Sequence, residues 1–382
     1  MQRTLFDEEH ELFRAGFRRF VEQELQPHVE RWEAAGICDR ELFARAGKAG
    51  FLGLAAPADV GGGATPDFRF SQIMLEEYER AGAGTAGSGI GLHNDVALPY
   101  YLRYCTAEQS SRWLPGLCSG ELIAGIAMSE PGVGSDLAAL ATRAVRDGDH
   151  YVVNGAKTFI SNGINGDLFI TAVRTGDDPG HGGISLLVVE GETPGFIRGR
   201  NLAKVGRHSQ DTAELFFDDA RVPVANRLGE EGRGFVYMMS NLPQERLNIA
   251  ISALGAARRA FELTLSYGRE RHAFGRPVAS FQHSRFVLAE LATELQIAET
   301  FIDRCVMAHN RAQLAAHEAA MAKWWATELA NRVMDRCLQL HGGFGYMDEA
   351  PISRAWRDTR VLSIYGGTTE IMKEIIGRQL GV

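Results

Sequence analysis

Apolar residues near the start of the chain repeat at helical spacing. Their steps of three and four residues place them on one face of a helix, and the set is Phe13, Phe17, Phe20 and Val21. Helical patterning continues to about residue 120. We therefore expect an N-terminal helical domain over residues 1–121.

The middle of the chain has a different pattern. From about residue 122 to residue 232, short runs rich in β-branched and aromatic residues are separated by Gly, Asp and Asn turns. These runs are residues 151–153, 168–173, 184–189 and 213–217. They predict a compact β-domain over residues 122–233.

Helical spacing returns after residue 233. One apolar stripe continues over several turns, and its members are Val287, Leu291, Leu295, Ala298, Ile302 and Val306. We expect residues 234–382 to form a four-helix bundle. Apolar residues outside this stripe, such as Trp324 and Trp325, indicate a two-sided core, a subunit contact, or both.

Composition narrows the class of protein. A chain of 382 residues exceeds the roughly 250–300 residues that one core supports, so several domains are expected. A hydrophobic fraction of 45% and a charged fraction of 23% are typical of an ordinary globular protein. A net charge of −8 does not favour a basic surface that would bind nucleic acid. The acidic N-terminus does not resemble a signal peptide, and no run approaches the ~20 apolar residues of a membrane span. We expect a cytoplasmic protein that binds neither nucleic acid nor membrane.

The cysteines indicate reduced thiols. The five, scattered without a Cys-x-x-Cys pair, are Cys38, Cys105, Cys118, Cys305 and Cys337. This spacing is typical of buried free thiols and does not favour disulfides or zinc. We expect no metal.

One glycine motif is misleading. Residues 82–87 read Gly-Ala-Gly-Thr-Ala-Gly, which satisfies the dinucleotide-binding pattern Gly-x-Gly-x-x-Gly. That pattern must follow a strand, whereas the residues before it have the charged, amphipathic pattern of a helix. We therefore interpret these glycines as a helix stop and a connector.

A turn with possible chemistry follows the apolar run 122–127. From Met128 to Asp136 the chain reads Met-Ser-Glu-Pro-Gly-Val-Gly-Ser-Asp. Such a turn exposes backbone N–H groups and hydroxyls to an anionic ligand. Taken alone, it is equally consistent with an ordinary connection between a strand and a loop.

Four further segments make the pattern specific. They are residues 154–163 (Asn-Gly-Ala-Lys-Thr-Phe-Ile-Ser-Asn-Gly), 269–277 (Arg-Glu-Arg-His-Ala-Phe-Gly-Arg-Pro), 339–346 (Gln-Leu-His-Gly-Gly-Phe-Gly-Tyr) and 365–372 (Tyr-Gly-Gly-Thr-Thr-Glu-Ile-Met). Together with the turn at 128–136, their order and spacing resemble the acyl-CoA dehydrogenase family over nearly the whole chain. The resemblance implies an α+β multidomain fold, with an N-terminal helical domain, a middle β-domain and a C-terminal four-helix bundle.

The resemblance also implies a non-covalent FAD. The residues that would lie against the flavin are Ile126, Ala127, Met128, Ser129, Gly134, Ser135, Phe159, Ile160 and Ser161. The residues that would contact FAD across a subunit interface are Arg271, Phe274 and Gln282. The residues that would complete the cofactor site are Gln339, Leu340, His341, Gly342, Gly343, Thr368, Thr369 and Glu370.

The catalytic base departs from the common family pattern. Most members carry glutamate directly after the tyrosine of the C-terminal turn, but here Gly366 follows Tyr365. Residues 238–247, Met-Met-Ser-Asn-Leu-Pro-Gln-Glu-Arg-Leu, resemble the long-chain and isovaleryl branches, in which the glutamate comes from another helix. The resemblance makes Glu245 the candidate base and gives Gly366 the role of leaving space for the thioester. Without the resemblance to the family, Glu245 would be interpreted as an acidic residue in the first turn of a helix that starts at Pro243.

The implied substrate contacts surround this base. They are Ser135, Arg246, Tyr365, Gly366 and Gly367. For Arg246, an ordinary ion pair is a comparable alternative.

The implied reaction is the α,β-dehydrogenation of an acyl-CoA thioester to the trans-2-enoyl-CoA. Glu245 would remove the α-proton, and flavin N5 would accept the β-hydrogen as hydride. The resemblance further implies a homotetramer that passes electrons to electron-transfer flavoprotein. Residues 93–100 resemble the long-chain branch, so medium, long or branched acyl chains are favoured over short ones.

Two other functions fit the same residues. One is the dehydrogenation of an acyl-carrier-protein thioester in a biosynthetic pathway. The other is a non-catalytic, FAD-binding subunit of a hetero-oligomer, which the missing glutamate at position 366 favours and Glu245 disfavours.

Overall fold

The computed structural model describes residues 3–176 and 180–382. It confirms the predicted fold class: a helical domain, a β-sheet domain and a second helical domain follow one another along the chain. None of the helices within these residues has the length and apolar content that crossing a membrane requires.

From residue 3 onward, where the structure describes the chain, seven α-helices form the N-terminal domain. They are α1 (Glu8–Phe20), α2 (Val29–Ala35), α3 (Glu41–Lys48), α4 (Phe68–Arg80), α5 (Gly84–Gly91), α6 (Leu98–Tyr104) and α7 (Ala107–Ser119). Two π-helical turns, Val21–Leu25 and Leu92–Ala97, interrupt this series. Phe17 lies at the centre of the core, where its ring meets Phe51 edge to face at 4.8 Å and Tyr78 at 5.1 Å.

Within the described residues, eight strands form the middle sheet. They are β1 (Ala124–Ala127), β2 (Arg143–Asp147), β3 (His150–Ser161), β4 (Leu168–Arg174), β5 (Ile184–Glu190), β6 (Phe196–Asn201), β7 (Thr212–Pro223) and β8 (Arg227–Leu228). Their order in the sheet is β6-β7-β3-β2-β4-β5-β8, and β1 pairs with β4. The β1–β4 pairing is parallel, whereas β4–β5 and β3–β7 are antiparallel.

Strands β4 and β5 are buried on both faces. One face, which includes Ile170 and Leu186, packs against α6, α7 and the start of the C-terminal domain. The other face, which includes Phe169 and Leu187, packs within the β-domain. Burial on both faces explains why these strands are continuous apolar runs with no polar alternation.

The C-terminal domain is helical. Its helices are α8 (Gly234–Glu270), α9 (Gln282–Asn310), α10 (Ala316–His341), α11 (Pro351–Thr359) and α12 (Thr369–Leu380), with a small hairpin of β9 (His272–Ala273) and β10 (Arg276–Pro277) between α8 and α9. All six residues of the predicted stripe on α9 are buried in the core that α8, α9 and α10 share. The two tryptophans Trp324 and Trp325 are half-buried.

The glycine motif at 82–87 has the predicted structural role only in part: Gly82 follows the end of α4 as a helix stop, but the predicted connector is wrong from Gly84 onward, because Gly84 and Gly87 lie inside α5. The motif follows the end of α4, a helix, so the strand that a dinucleotide-binding motif needs is missing at this position. A Cβ on Gly82 would lie 2.3 Å from the guanidinium of Arg259, and one on Gly84 would lie 2.3 Å from the carboxylate of Glu79. These glycines therefore allow charged side chains to approach the backbone.

The glycine that ends α7 generates a stability prediction. Gly120 has a φ of +78°, and a Cβ there would lie 2.3 Å from the carbonyl oxygen of Phe43. Gly36, which ends α2, has a similar φ of +76°, but its nearest neighbour would be 3.5 Å away. Gly36→Ala should lower the free energy of unfolding by about 1–2 kcal/mol, because alanine is strained in a left-handed backbone conformation. Gly120→Ala should cost about 1–3 kcal/mol more, because a backbone carbonyl must move.

Thermal and urea unfolding midpoints, followed by circular dichroism, measure the difference between the two variants. We expect the midpoint of Gly120→Ala to fall clearly below that of Gly36→Ala. Equal midpoints would show that the carbonyl of Phe43 moves without cost.

Candidate active site

Glu245 lies inside α8 rather than at its start. The helix begins at Gly234 and continues through Pro243. The alternative interpretation of Glu245 as a first-turn acid is therefore wrong. A proline removes one helical hydrogen bond and is disfavoured in a helix interior, so its presence misled the assignment of the helix start.

The carboxyl group of Glu245 is almost excluded from water. The residue is 8% exposed, and its Oε1 accepts a hydrogen bond of 3.0 Å from the hydroxyl of Tyr100. Burial raises the pKa of Glu245 to about 7, against the smaller opposing effects of the Tyr100 hydrogen bond and the positive charge of Arg246. A carboxyl group with this pKa exchanges protons near neutral pH, as a general base must.

Tyr100 is held rigidly in the N-terminal domain. It lies on α6, is fully buried, and its ring is 6.2 Å from that of Tyr104. Tyr104 in turn stacks on Tyr237 of α8 at 4.0 Å. Sequence analysis assigned no role to Tyr100, because nothing in the helical pattern distinguishes it from its neighbour Tyr101.

The Gly366–Gly367 turn contacts Arg246, the residue that follows Glu245. Both glycines have positive φ, +64° and +98°. The Nε of Arg246 donates to the carbonyl of Gly366 at 3.5 Å, and the Nζ of Lys323 donates to the carbonyl of Gly367 at 2.6 Å. The structure thus brings together three of the residues predicted to bind substrate, Arg246 and the two glycines.

The space beside Gly366 is bordered by the end of a flexible side chain. A Cβ at this position would lie 2.3 Å from Cδ1 of Ile249. The role of Gly366 in leaving space for the thioester stays a prediction. Tyr365, which precedes Gly366 and is also predicted to contact the substrate, is 39% exposed.

The predicted flavin turn is tied to the sheet by a buried ion pair. Lys157 on β3 is fully buried, and its Nζ lies 2.8 Å from the carboxylate of Glu130 and 3.1 Å from the carbonyl of Met128. Glu130 also accepts hydrogen bonds from the backbone N–H groups of Ala141 and Thr142. Sequence analysis missed this support, because a lysine inside an alternating strand gives no signal of burial.

The rest of this turn and the neighbouring strand present mainly backbone groups. Ala127 and Ile160 are buried, so their side chains belong to the core. Ile126, Met128, Ser129 and Ser161 are half-buried, and Gly134 and Ser135 are exposed.

Phe159 has a strained backbone and an exposed ring. Its φ is +60° at a bulge of β3, and 70% of the residue is exposed. A left-handed conformation is unusual for an aromatic residue and marks functional sites more often than ordinary strands. The ring is available for stacking on a planar ligand.

A second group of predicted cofactor residues lines a separate pocket. This pocket has a volume of about 600 Å³, and its lining residues are Tyr267, Arg271, Val278, Gln339, Leu340, His341, Gly342, Gly343 and Phe344. Within the described residues, it includes none from the flavin turn or from Phe159 to Ser161.

His341 gives this pocket an aromatic ring and a buried nitrogen. Its ring stacks on Tyr267 at 4.3 Å, and Nε2 lies 3.2 Å from the hydroxyl of Thr264. Its Nδ1 is buried and has no hydrogen-bond partner among the described residues. A buried polar atom without a partner is costly, so this nitrogen is suited to a ligand.

The remaining predicted contacts lie at two surfaces. Phe274 lies in the loop of the β9–β10 hairpin and is 96% exposed, and Gln282 begins α9. At the start of α12, Thr368 accepts a hydrogen bond from the N–H of Ile371, and Thr369 donates to Glu328. Glu370 is exposed. Helix N-termini favour anions, so the start of α12 is suited to a negatively charged group.

Comparison with known proteins covers the whole of this architecture. Three family models match: "Acyl-CoA dehydrogenase, N-terminal domain" at residues 7–121, the middle domain at 125–220 and the C-terminal domain at 232–381. The long-chain specific acyl-CoA dehydrogenase of rat mitochondria is 46% identical over 381 residues, which are 99% of this chain and 88% of that protein.

Solved structures agree. An acyl-CoA dehydrogenase from Geobacillus kaustophilus has a TM-score of 0.97 and 52% identity, with 100% of both chains covered. A glutaryl-CoA dehydrogenase from Mycobacterium smegmatis, in complex with FADH2, has a TM-score of 0.91 and 28% identity, with 98% of this chain and 95% of that chain covered.

Proposed function

The chain belongs to the acyl-CoA dehydrogenase family, and we propose that it converts medium-chain, long-chain or branched acyl-CoA thioesters to trans-2-enoyl-CoA with Glu245 as the base. Members of this family are FAD-dependent oxidoreductases that act on acyl-CoA. The observation that supports the assignment of the base is the buried Glu245 carboxyl group, whose neighbour in sequence, Arg246, contacts the Gly366–Gly367 turn.

The environment of Glu245 suits proton abstraction from carbon. Tyr100 binds Oε1, while no described residue donates to Oε2. This second oxygen is therefore the one available to take the α-proton. Because water is largely excluded, the ionised carboxylate is poorly solvated and consequently basic.

The chain's own residues divide the remaining tasks. The turn that Lys157 supports, the ring of Phe159 and the start of α12 would hold the flavin end of FAD, and the pocket around His341 would hold an adenosine end. When bound, FAD would accept the β-hydrogen as hydride. The turn at Gly366 and Gly367 would orient the thioester against Glu245.

The substrate class rests on similarity. The 46% identity with a protein named long-chain specific acyl-CoA dehydrogenase and the lack of a glutamate at position 366 favour the long-chain branch. A carrier-protein thioester remains the second candidate substrate. Rapid-mixing measurements of flavin reduction by a panel of free acyl-CoA and carrier-protein thioesters test both, and a chain that none of them reduces would be the non-catalytic subunit.

We also propose a cytoplasmic homotetramer that passes electrons to electron-transfer flavoprotein. The assembly is supported by large apolar residues exposed in the C-terminal domain. They include Phe274, Phe344, Tyr346, Met347, Trp356 and Ile364. Exposed apolar residues in this number are typical of subunit contacts.

Replacing the base is the first test of the reaction. Glu245→Gln preserves size and polarity, so the variant should keep its fold and its FAD. A neutral amide cannot accept the α-proton, and we expect flavin reduction by acyl-CoA to slow by ~10²–10⁴-fold. Substrate binding, measured by its perturbation of the flavin spectrum, should change little. Near-normal reduction would refute the assignment of Glu245.

Tyr100 should set the pH dependence of this step. Glu245 is active when ionised, so the rate should fall as the pH drops through its pKa, which is about 7 in the free protein. The hydrogen bond from Tyr100 lowers this pKa, so Tyr100→Phe should raise it. The acid limb of kcat/KM should then move to higher pH, with rates converging well above the new pKa.

Tyr101→Phe is the matched control for this shift. The hydroxyl of Tyr101 is equally buried but has no hydrogen-bond partner among the described residues. Removing it should leave the acid limb in place. Identical pH profiles for the two variants would contradict the role of Tyr100.

Assembly and cofactor retention should be linked. Phe274→Ala removes an exposed aromatic residue from the proposed interface, and it should yield smaller species that hold less FAD per chain. Leu12→Ala changes an exposed apolar residue on α1. It should alter neither the size of the assembly nor its FAD content. Light scattering and flavin absorbance give the two readouts. A monomeric Phe274→Ala variant with one FAD per chain would disprove the link.

A further inference from the structure

Two arginines line a cavity at the junction between the N-terminal and C-terminal domains. The cavity has a volume of about 200 Å³. The N-terminal domain lines it with residues within 26–30 and with Ala81 and Gly82, which follow α4. The C-terminal domain lines it with Arg259 of α8 and Arg354 of α11. The cavity shares no lining residue with the predicted FAD or substrate contacts.

Helix α11 is fixed at this junction by its next turn. Asp358 accepts a hydrogen bond of 3.0 Å from the hydroxyl of Thr85 on α5, and another from the backbone N–H of Arg207. Arg354, four residues before Asp358, therefore stands on an element that already contacts both other domains. The cavity is pre-formed, as ligand pockets usually are.

Neither guanidinium group in this cavity has a partner of opposite charge. Both arginines are half-buried, and within the described residues the side chains of Arg259 and Arg354 form no hydrogen bond and no ion pair. Glu30 also lines the cavity, but it is exposed and pairs with neither of them. Glu79 lies near Arg259, but burial raises the pKa of Glu79 to about 7. This carboxyl group is therefore only partly ionised near neutral pH.

The two positive charges oppose each other. Burial lowers the pKa of Arg259, and the nearby charge of Arg354 lowers it further, against smaller opposing effects of Glu79 and Asp358. The end of α4 favours one cation beside it, and the guanidinium of Arg259 lies against Gly82 there. That contact accounts for one arginine and leaves the second unexplained. Like charges held together away from water are unfavourable unless an anion lies between them.

A pair of arginines is suited to an oxyanion. Each guanidinium group donates through a planar fork that matches the oxygens of a phosphate or a carboxylate. Two such groups match the double negative charge of a phosphate better than the single charge of a carboxylate. Among the described residues, no aromatic side chain lines the cavity, so the ring of a nucleotide base would find no stacking partner.

We propose that Arg259 and Arg354 form a phosphate-binding site at the junction between the N-terminal and C-terminal domains, for inorganic phosphate or for the phosphoryl group of a small organic molecule. The bound anion replaces the repulsion between the two arginines by two charge-assisted contacts, and it links α8 and α11 across the cavity. A ligand that binds only the folded chain also stabilises it by mass action. The inference is independent of the proposed function, because neither Glu245 nor the thioester takes part.

Titration calorimetry with sodium phosphate tests the site directly. The FAD-loaded protein is used, so that phosphate cannot enter an empty cofactor site, and sodium chloride keeps the ionic strength constant. We expect one phosphate per chain, an unchanged flavin spectrum, and an unfolding midpoint raised by about 2–4 °C when phosphate is at about ten times its Kd. Glycerol 3-phosphate distinguishes the two sources of the anion. Tighter binding than that of inorganic phosphate indicates an organic phosphate, and weaker binding indicates the free ion.

Replacing Arg354 separates binding from a structural role. Arg354→Gln should weaken phosphate binding at least about tenfold, because it removes a charged donor. In phosphate-free buffer it should unfold no earlier than the wild type, because Arg259 then loses a repelling neighbour. If this variant does not fold, Arg354→Lys decides, because it keeps the charge without the fork and should bind phosphate more weakly than the wild type.

Arg19→Gln is the matched control. Arg19 is an exposed arginine of α1 with no ion pair among the described residues, and its replacement should leave phosphate binding unchanged. The absence of phosphate binding by the FAD-loaded wild type would overturn the site, and so would undiminished binding by Arg354→Gln or Arg354→Lys. A phosphate-free Arg354→Gln variant that unfolds well below the wild type would give Arg354 a structural role and contradict the proposal.

Discussion

The desolvated carboxyl group of Glu245 is the constraint on which the rest of the site depends. Adjacent residues of a helix do not face each other, and accordingly Arg246 forms no described ion pair with Glu245 but instead reaches the carbonyl of Gly366. A direct ion pair would hold the carboxylate ionised and weaken it as a base. With one hydrogen bond from Tyr100 and a charge at a distance, the pKa of Glu245 stays at about 7.

The groups of the proposed site come from all three domains. Tyr100 comes from the N-terminal domain, the glycine turn comes from the C-terminal domain, and the turn held by Lys157 comes from the sheet between them. Helix α8 connects these parts because it starts against β5 and continues into the C-terminal core. Buried polar contacts, rather than flexible surface pairs, thus set the positions of the reacting groups.

Periodicity predicted the fold well, because the signal is local. The buried stripe on α9 and the continuous apolar strands β4 and β5 follow from spacing and burial alone. The partners within the site are not local: Tyr100 and Glu245 are 145 residues apart in the chain. Glu245 itself was found through resemblance to a family, whereas its local sequence indicated a helix start at Pro243. Lys323 and Lys157 could not be found, since a buried lysine and a surface lysine look the same in a sequence pattern.

The position of the base and the conformation of the glycine turn are coupled. At Gly366 the φ of +64° would cost another residue about 1–2 kcal/mol, and a Cβ would overlap Ile249. A glutamate at this position would therefore hold its carboxylate on a strained residue and would displace the end of the Ile249 side chain. With the glutamate on α8 instead, the carboxyl group stands on a regular helix and needs no unusual backbone conformation. The turn is then free of ionisable side chains and meets Arg246 and Lys323 through its backbone carbonyls alone.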